Sequence, residues 1–491
     1  LAVLLVVLAV HLPDLSGVFS SNPLYLVSGL PLAWDGGLAG GTPGWIDWHA
    51  GATRQALGTL AARDWLAHVV PWWNPFIGIG LPLGAQPQSS AFFLPFVLLE
   101  HFFDGTTYLK VVMQIIAGQA AYALLRQLGV SRAAAVLGGV LWELNGMFAW
   151  FGDAPMLPLA FLPVCLLGIE RALAGAAVGR WAGWRLLAVG LAYLVLAGFP
   201  ETGYFCGLLA LAWAALRFVQ AGAARWRFAG VVALGGAVGL AVASPLLLAF
   251  GEYLAVAWTE PRNMDHAALL GGNFAQYLFP YLLGTFQYQQ LYDLWFRMGG
   301  YVGVAPLLLA LAGLAGGGRD RGLKILLAGW VVVALAKSAA MPGLTELVNL
   351  LPGVPLMMFH RYIAPTVAFA VCVLAALALD DWRSGRWRAP FRTAAVAAGG
   401  VGLAGAVVLV LAWPTLRQLW PHQDFHVFPA VSLGGAAVVV LLLGLVLCRA
   451  PRRFGVGAVC AVTMVEAATL FVLPLLSGAR VRAIDMAPVQ F

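Results

Sequence analysis

Few side chains in this sequence could do chemistry, and they fall in short groups. Asp47 and His49 stand two residues apart in WIDWHA, Asp153 lies in the turn FGDAP, Glu201 in the turn FPETG, and His360 and Arg361 close the loop LPGVPLMMFHR. A carboxylate within hydrogen-bond reach of a hydroxyl can take its proton as the oxygen attacks. Negative charge nearby also steadies an oxocarbenium-like sugar centre. Asp47 is therefore a candidate base for glycosyl transfer, although it reads equally as a solvated loop acid or as a cap for a helix starting near Ala50. His49 reads as a support for Asp47, as a metal ligand, or as a plain interfacial histidine. Asp153 and Glu201, in Pro/Gly turns, could orient an acceptor or share a divalent cation with Asp47, because hard metals take oxygen ligands. The H-x-D-x-H cluster of His422, Asp424 and His426 could bind a metal, but a solvated loop is the favoured reading. The glycines of GIGLPLG lack a following phosphate-binding helix pattern, which excludes a nucleotide site there.

Whatever positions these groups is almost wholly apolar. Of 491 residues, 62% are hydrophobic and 10% charged, with a mean hydropathy of +0.87. That leaves too little polar surface to cover a soluble globule. An all-α polytopic membrane protein is the class that remains. The net charge of +7 sits in short clusters between apolar runs, a topology signal rather than a nucleic-acid face. The five cysteines (Cys165, Cys206, Cys372, Cys448, Cys460) lie in or beside apolar runs without a CxxC pair, which speaks against disulfides and a thiolate metal site.

About thirteen apolar runs approach the ~20 residues that a membrane crossing needs. They fall at 1–12, 108–128, 133–150, 155–173, 186–199, 203–219, 228–250, 301–315, 323–336, 362–379, 393–413, 431–447 and 454–476. The apolar piece at 92–103 is shorter and reads as re-entrant or interfacial. More than half of the 28 basic residues fall in alternate short connections, at 126–132, 171–185, 217–227, 319–324, 383–392 and 449–453. Those connections are expected on the cytoplasmic side. The outer side then receives the long first loop 13–107 and the turns that hold the candidate acids. In that loop, Leu57, Leu60, Ala61 and Trp65 recur at helical spacing, which predicts an interfacial helix within Ala50–Val69. The stretch PWWNPFIGIGLPLGAQPQ predicts an ordered loop with tryptophans at headgroup level. Both chain ends read as edges of a longer protein: residues 1–476 form the membrane module, and 477–491 begin an extracytoplasmic C-terminal region.

On this topology His360 and Arg361 carry the wrong sign for an outer loop. A lipid phosphate is the natural partner for such an arginine, because a guanidinium binds it bidentately; pairing to Glu346 or to headgroups is the plainer alternative. Arg54 and Arg297 are weaker candidates for the same role, and Lys337 is expected to snorkel. The segment GGNFAQYLFPYLLGTFQYQQLYDLWFRMGG is rich in the aromatic and amide side chains that sugar faces and hydroxyl edges need, as is any interfacial belt.

The run WWNPFIGIGLPLGAQPQSSAFFLPFVLL, with Asp47 upstream, resembles the first external loop of bacterial YfhO-type membrane proteins, a branch of the GT-C glycosyltransferases. QLGVSRAAAVLGGVLWELNG, LPLAFLPVCLLGIERAL and HRYIAPTVAFAVCVLAALALD extend the resemblance over most of the chain. It implies a GT-C-like bundle that takes a sugar from a polyprenyl-phosphate carrier and passes it to a hydroxyl of an envelope glycan, lipid or protein. It further implies a base in the first external loop, matched by Asp47, and a second acid in the next external turn, matched by Asp153.

The expected function is thus a glycosyltransferase on the outer face of the bacterial cytoplasmic membrane. Its partners are a polyprenyl-phosphate sugar, an acceptor and membrane lipid, with no nucleic acid. Arg361, His360 and Arg54 bind the donor phosphate, and His49 and Glu201 support substrate or metal. This reading fixes no cofactor, and a divalent cation, magnesium or manganese, is the candidate. The rivals are a polyprenyl-diphosphate-dependent glycan ligase or polymerase, a transporter or flippase of a lipid-linked saccharide, and a non-catalytic envelope scaffold. Transporters place charges at mid-span, and here only Glu143 and Glu466 stand there.

Overall fold

The computed structural model describes residues 1–16, 50–102, 104–150, 154–257, 268–269, 271–284, 301–387, 390–421, 423–449 and 452–476. In chain order its helices begin with α1 (Ala2–Val10), α2 (Leu12–Leu15), α3 (Ala56–Leu66), which continues a π-helical turn at Ala50–Gln55, and α4 (Leu94–Leu99). Next come α5 (Gly105–Gln127), α6 (Arg132–Glu143), α7 (Gly146–Trp150), α8 (Leu162–Ala177), α9 (Trp184–Leu196), α10 (Pro200–Gln220) and α11 (Arg225–Val256). The second half holds α12 (Ala275–Leu278), α13 (Val304–Ala315), α14 (Arg321–Ser338), α15 (Leu344–Asn349), α16 (Phe359–Tyr362) and α17 (Ala364–Arg383). The described chain closes with α18 (Pro390–Leu419), α19 (Val427–Arg449) and α20 (Arg452–Leu476).

Among the described residues, 9 helical stretches are long and apolar enough to cross a membrane, and the chain is a multi-pass membrane protein. Each of the thirteen apolar runs is helical, but they differ in reach. α9 and α13 have 13 and 12 residues, about 18–20 Å at 1.5 Å per residue, against a hydrocarbon core of ~30 Å. α14 has 18 residues but carries Arg321, Lys324 and Lys337. The run ending in α8 begins as a 3-10 turn over Ala154–Phe161, where Pro155 and Pro158 deny backbone donors to a regular helix; Pro163 sits in the first turn of α8, where it is tolerated.

α17 is the axis. Every residue from Ala364 to Trp382 is buried, whereas in the most apolar window of α19 only 6% of residues are, and that helix faces outward. An all-apolar helix belongs inside a bundle, and in lipid the close approach of small residues replaces the hydrophobic drive for helix association. A Cβ at Gly313 of α13 would overlap the Ala378 side chain, and one at Gly138 of α6 would strike Leu125 and Ala376. These glycines let α6 and α13 press against α17.

At one end of the bundle the arginine-rich turns interlock. Asp381, 1% exposed, accepts from Lys324 Nζ at 2.7 Å and Arg386 Nε at 2.8 Å. Asp380 accepts from Arg386 Nη2 at 2.6 Å and from the Ser131 backbone N–H at 2.8 Å. The hydrogen bond to Asp381 holds the Arg386 guanidinium above its ordinary pKa. Arg217 bridges Glu170 (2.6 Å) and Asp320 (2.8 Å), while Arg319 reaches the carbonyls of Leu128 and Gly129.

The described part of the first loop is compact. α3 buries Leu57, Gly58, Ala61 and Ala62, and Gly58 lies so close to the Phe96 ring of α4 that any Cβ would run into it. Between these helices, β1 (Trp73–Asn74) pairs antiparallel with β2 (Leu81–Pro82), in the register Trp73↔Pro82 and Asn74↔Leu81. The buried Asn74 accepts the Phe76 N–H at 2.9 Å, and Gly80 N–H returns to Ile77 O at 2.9 Å. The helix and the ordered Pro/Gly/Trp loop agree with the spacing and composition of this stretch. The terminal region 477–491 lies outside the described residues.

Candidate functional site at the end opposite the arginine-rich turns

Three segments meet at the other end of the bundle. The first is the loop turn Pro87–Ser89, whose neighbour Ser90 donates its hydroxyl to Ala197 O at 3.2 Å. Gly198, the next residue, has φ +85°, and a Cβ there would overlap Pro87 O and Ser90 Oγ. Only glycine combines that backbone conformation with so close an approach. The second segment is the start of α10. Phe199 packs its ring 4.9 Å from that of Tyr362, and Phe205 packs 5.2 Å from Phe359. The third is α16 with the loop before it, held by the Tyr204 hydroxyl donating to Pro352 O at 2.7 Å. α14 closes the group: Trp330 Nε1 donates to Thr366 Oγ1 at 2.8 Å, and Ser338 O accepts from Leu269 N at 2.7 Å. One apolar cluster, which includes Phe199, Phe205, Tyr277, Ala334, Phe359 and Tyr362, joins α10, α14 and α16.

Charged and polar groups are set into this apolar surround. His360 is 3% exposed and Lys337 1%, with Lys337 Nζ 5.7 Å from the centroid of the Phe359 ring. The half-buried Arg361 lies over the Tyr362 ring at 5.6 Å, with Nη1 3.3 Å from Met358 Sδ. Arg54 is 2% exposed, in the π-helical turn that packs on Pro87–Ser89. Glu201 is half-buried in the first turn of α10. Tyr277 Oη and Thr202 Oγ1 are buried and make no hydrogen bond among the described residues; burial pushes the Tyr277 phenol upward. Cations over aromatic faces in a poorly hydrated setting suit an anion. The planar guanidinium of Arg361 beside them adds the capacity for bidentate phosphate recognition.

Of the residues chosen from sequence, Arg54, Glu201, His360 and Arg361 come to this one end. Asp47, His49 and Asp153 lie outside the described residues, as do Arg297 and His422. Lys337 departs from expectation: it does not snorkel, because its ammonium is enclosed over the Phe359 ring. Glu346, the alternative partner for Arg361, accepts from Gly343 N and so caps its own short helix. His426 shares Nε2 with Trp420 O at 2.7 Å and stacks on the Trp420 ring, a structural use. Among the described residues no three His, Cys, Asp or Glu side chains gather to hold a metal ion.

Sequence reasoning missed Lys337, Thr202 and Tyr277 as parts of this end. The signal for Lys337 was a lone cation near the end of an apolar run; Thr202 and Tyr277 sit inside stretches singled out above, FPETG and GGNFAQYLFP, but nothing there picks out the individual residue. It also missed a second polar chain inside the bundle. His11 lies 3.1 Å from Asp14 through Nδ1 and 2.6 Å from Gln114 Oε1 through Nε2, and Gln114 donates to Glu143 O at 2.7 Å. Beside it, Lys110 is fully buried over the Phe471 ring, and the Glu143 carboxylate is packed against Gly118. Glu466, the other mid-span acid, accepts the Val304 and Ala305 N–H groups at 2.8 and 3.0 Å, capping α13 where the helix dipole favours negative charge.

No family model matches the sequence, and no curated protein matches it. Among solved structures, the chain is similar to ArnT from Cupriavidus metallidurans bound to undecaprenyl phosphate. The match has 16% sequence identity and a TM-score of 0.48, and covers 96% of this chain and 76% of that one.

Proposed function

We propose that this chain is a GT-C-type glycosyltransferase of the bacterial cytoplasmic membrane, acting on the outer face. It moves a sugar from a polyprenyl-phosphate donor to a hydroxyl of an envelope glycan, lipid or protein. The observation that carries the reading is the burial of Arg54, Lys337 and His360 at the end opposite the arginine-rich turns, with Lys337 set over the Phe359 ring and Arg361 over that of Tyr362. A phosphate delivered from the lipid side meets cations there, beside the loop whose sequence resembles the YfhO-type first external loop.

In this mechanism the acceptor oxygen attacks the anomeric carbon while Asp47 takes its proton, and the bond from that carbon to the donor phosphate oxygen breaks. Polyprenyl phosphate leaves with the electron pair, its charge held by Arg361, His360 and Arg54. Asp153 is the second acid, and His49 and Glu201 support substrate or a magnesium or manganese ion. The membrane module spans residues 1–476 on this reading. Lys337 adds a cation that would also suit a diphosphate donor, the ligase or polymerase alternative. Buried Lys110 and Glu143 favour a second reading, transport or flipping of a lipid-linked saccharide, because ionisable groups at membrane depth are functional by default.

The test is transfer of radiolabelled sugar in membrane vesicles supplied with polyprenyl-phosphate or polyprenyl-diphosphate sugars, for wild type and Asp47→Asn, with and without chelator. Transfer by wild type and its loss in the variant supports the base assignment, and the chelator arm separates a bare carboxylate from a metal site. Full activity in Asp47→Asn moves the base to Asp153 or Glu201. An inert wild type, with either donor, leaves movement of the lipid-linked saccharide between leaflets as the activity to measure.

A further inference from the structure

We infer that the hairpin tip between β1 and β2 is a wedge inserted into the bilayer leaflet that borders the candidate site. This rests on the membrane-spanning fold and not on the proposed transfer activity. From Val69 to Leu99 the chain has no charged residue and no histidine, although this stretch includes the most exposed part of the described first loop. Ile79 is 102% exposed and Phe76 79%, with Ile77, Trp72 and Trp73 about half exposed.

These side chains are displayed by a rigid turn. The buried Asn74 holds the Phe76 N–H, Gly80 N–H closes onto Ile77 O, and Leu83 N–H closes onto Trp72 O at 2.8 Å. Gly78 and Gly80 take φ +58° and +104°, and the Trp73 ring lies against Gly80. A contiguous exposed apolar patch of this kind marks an interaction surface. The residue order points to lipid as the occupant: tryptophans at the base, where amphipathic rings settle at headgroup level, and Phe and Ile at the tip, where only an acyl environment is gained. The hairpin is also within reach of lipid, being anchored through Ser90 to the α9–α10 turn and through α3 and α4 to the start of α5. The helices that link it to the bundle carry exposed apolar side chains of their own, Leu94 and Leu98 on α4 and Tyr108 on α5.

Ile79→Cys, labelled with an environment-sensitive fluorophore in lipid nanodiscs, tests this. Labelled parent protein gives the background of the native cysteines, and Arg180→Cys in the exposed α8–α9 turn gives an aqueous reference. Full exposure of Ile79 means that the substitution removes no packing, and a monodisperse elution profile verifies it. The expected result is a blue-shifted emission at position 79, quenched several-fold more by nitroxide-labelled lipid than at position 180, and protected from iodide. Quenching by iodide without quenching by lipid would place the tip in water and overturn the inference. Protection from both quenchers would show that protein covers the tip, and would overturn it equally.

Discussion

The buried ion pair at the arginine-rich end permits a worked perturbation. Lys324 Nζ has three partners: Asp381 Oδ2 at 2.7 Å, Gly317 O at 2.6 Å and Gly313 O at 3.2 Å. Its side chain is 5% exposed and that of Asp381 1%. Asp381→Leu leaves the ammonium enclosed with two carbonyls and no counter-charge, a situation that costs about 3–5 kcal/mol. Arg386 also loses a partner, but it keeps Asp380 at 2.6 Å and is 40% exposed, so its share is about 1 kcal/mol at most. Lys324→Met combined with Asp381→Leu removes the stranded charge, and such replacements are often neutral or stabilising. The double variant should therefore recover about 2 kcal/mol or more relative to Asp381→Leu, and adding the Lys324→Met single variant closes the cycle that gives the coupling energy. Reversible unfolding in detergent, at low and high salt, measures the variants; the pair is buried, so salt should change the coupling little. An Asp381→Leu protein as stable as the double variant would show that the ammonium is solvated, and the interlocked turns would lose their physical basis.

Two further outcomes concern the candidate site. Gly198→Ala forces a Cβ into Pro87 O at φ +85°, a strain of about 1–3 kcal/mol. Sugar transfer should fall while circular dichroism of the helical bundle stays unchanged, and normal transfer would show that the first loop does not need this docking. Arg361→Lys exchanges a planar fork for a point charge; the KM for donor should rise about tenfold, equivalent to 1.4 kcal/mol, with kcat nearly unchanged, as for an interaction shared by ground and transition states. A drop in kcat at constant KM would instead place the guanidinium on the reacting phosphate in the transition state.

The sequence carried the long-range plan better than the local detail. Apolar runs and alternating basic connections were enough to foresee the helices and the segregation of arginine-rich turns, because bilayer thickness and leaflet charge act on composition alone. They were not enough to give helix reach. α13 stops at 12 residues, because Gly303, at φ +90°, and the Glu466 cap define its start; a cap supplied from more than 160 residues away leaves no local trace. The candidate site divides in the same manner. Arg361 and His360 were visible as charges on the side where charges are scarce, whereas Lys337 looked like an ordinary snorkelling lysine until the Phe359 ring was seen to lie beneath it. Thr202 and Tyr277 depend on which apolar surfaces meet, and pairwise burial of this kind is not encoded at any one position.

The enclosure of α17 also has a consequence for biogenesis. The helix surrounded on all sides is made late, after α5 to α14 have left the ribosome. At ~5–20 residues per second, the interval between Gln127 and Arg383 is on the order of tens of seconds. Throughout it, α6 has no α17 against which to seat Gly138. The early helices can pair among themselves, as α5 does with α6 and α8 with α9, but the faces that α6 and α13 turn toward α17 stay uncovered until the central segment arrives. A growing chain arrested before residue 359 should remain open to lipid at its core, and quality control would meet it in that unfinished form.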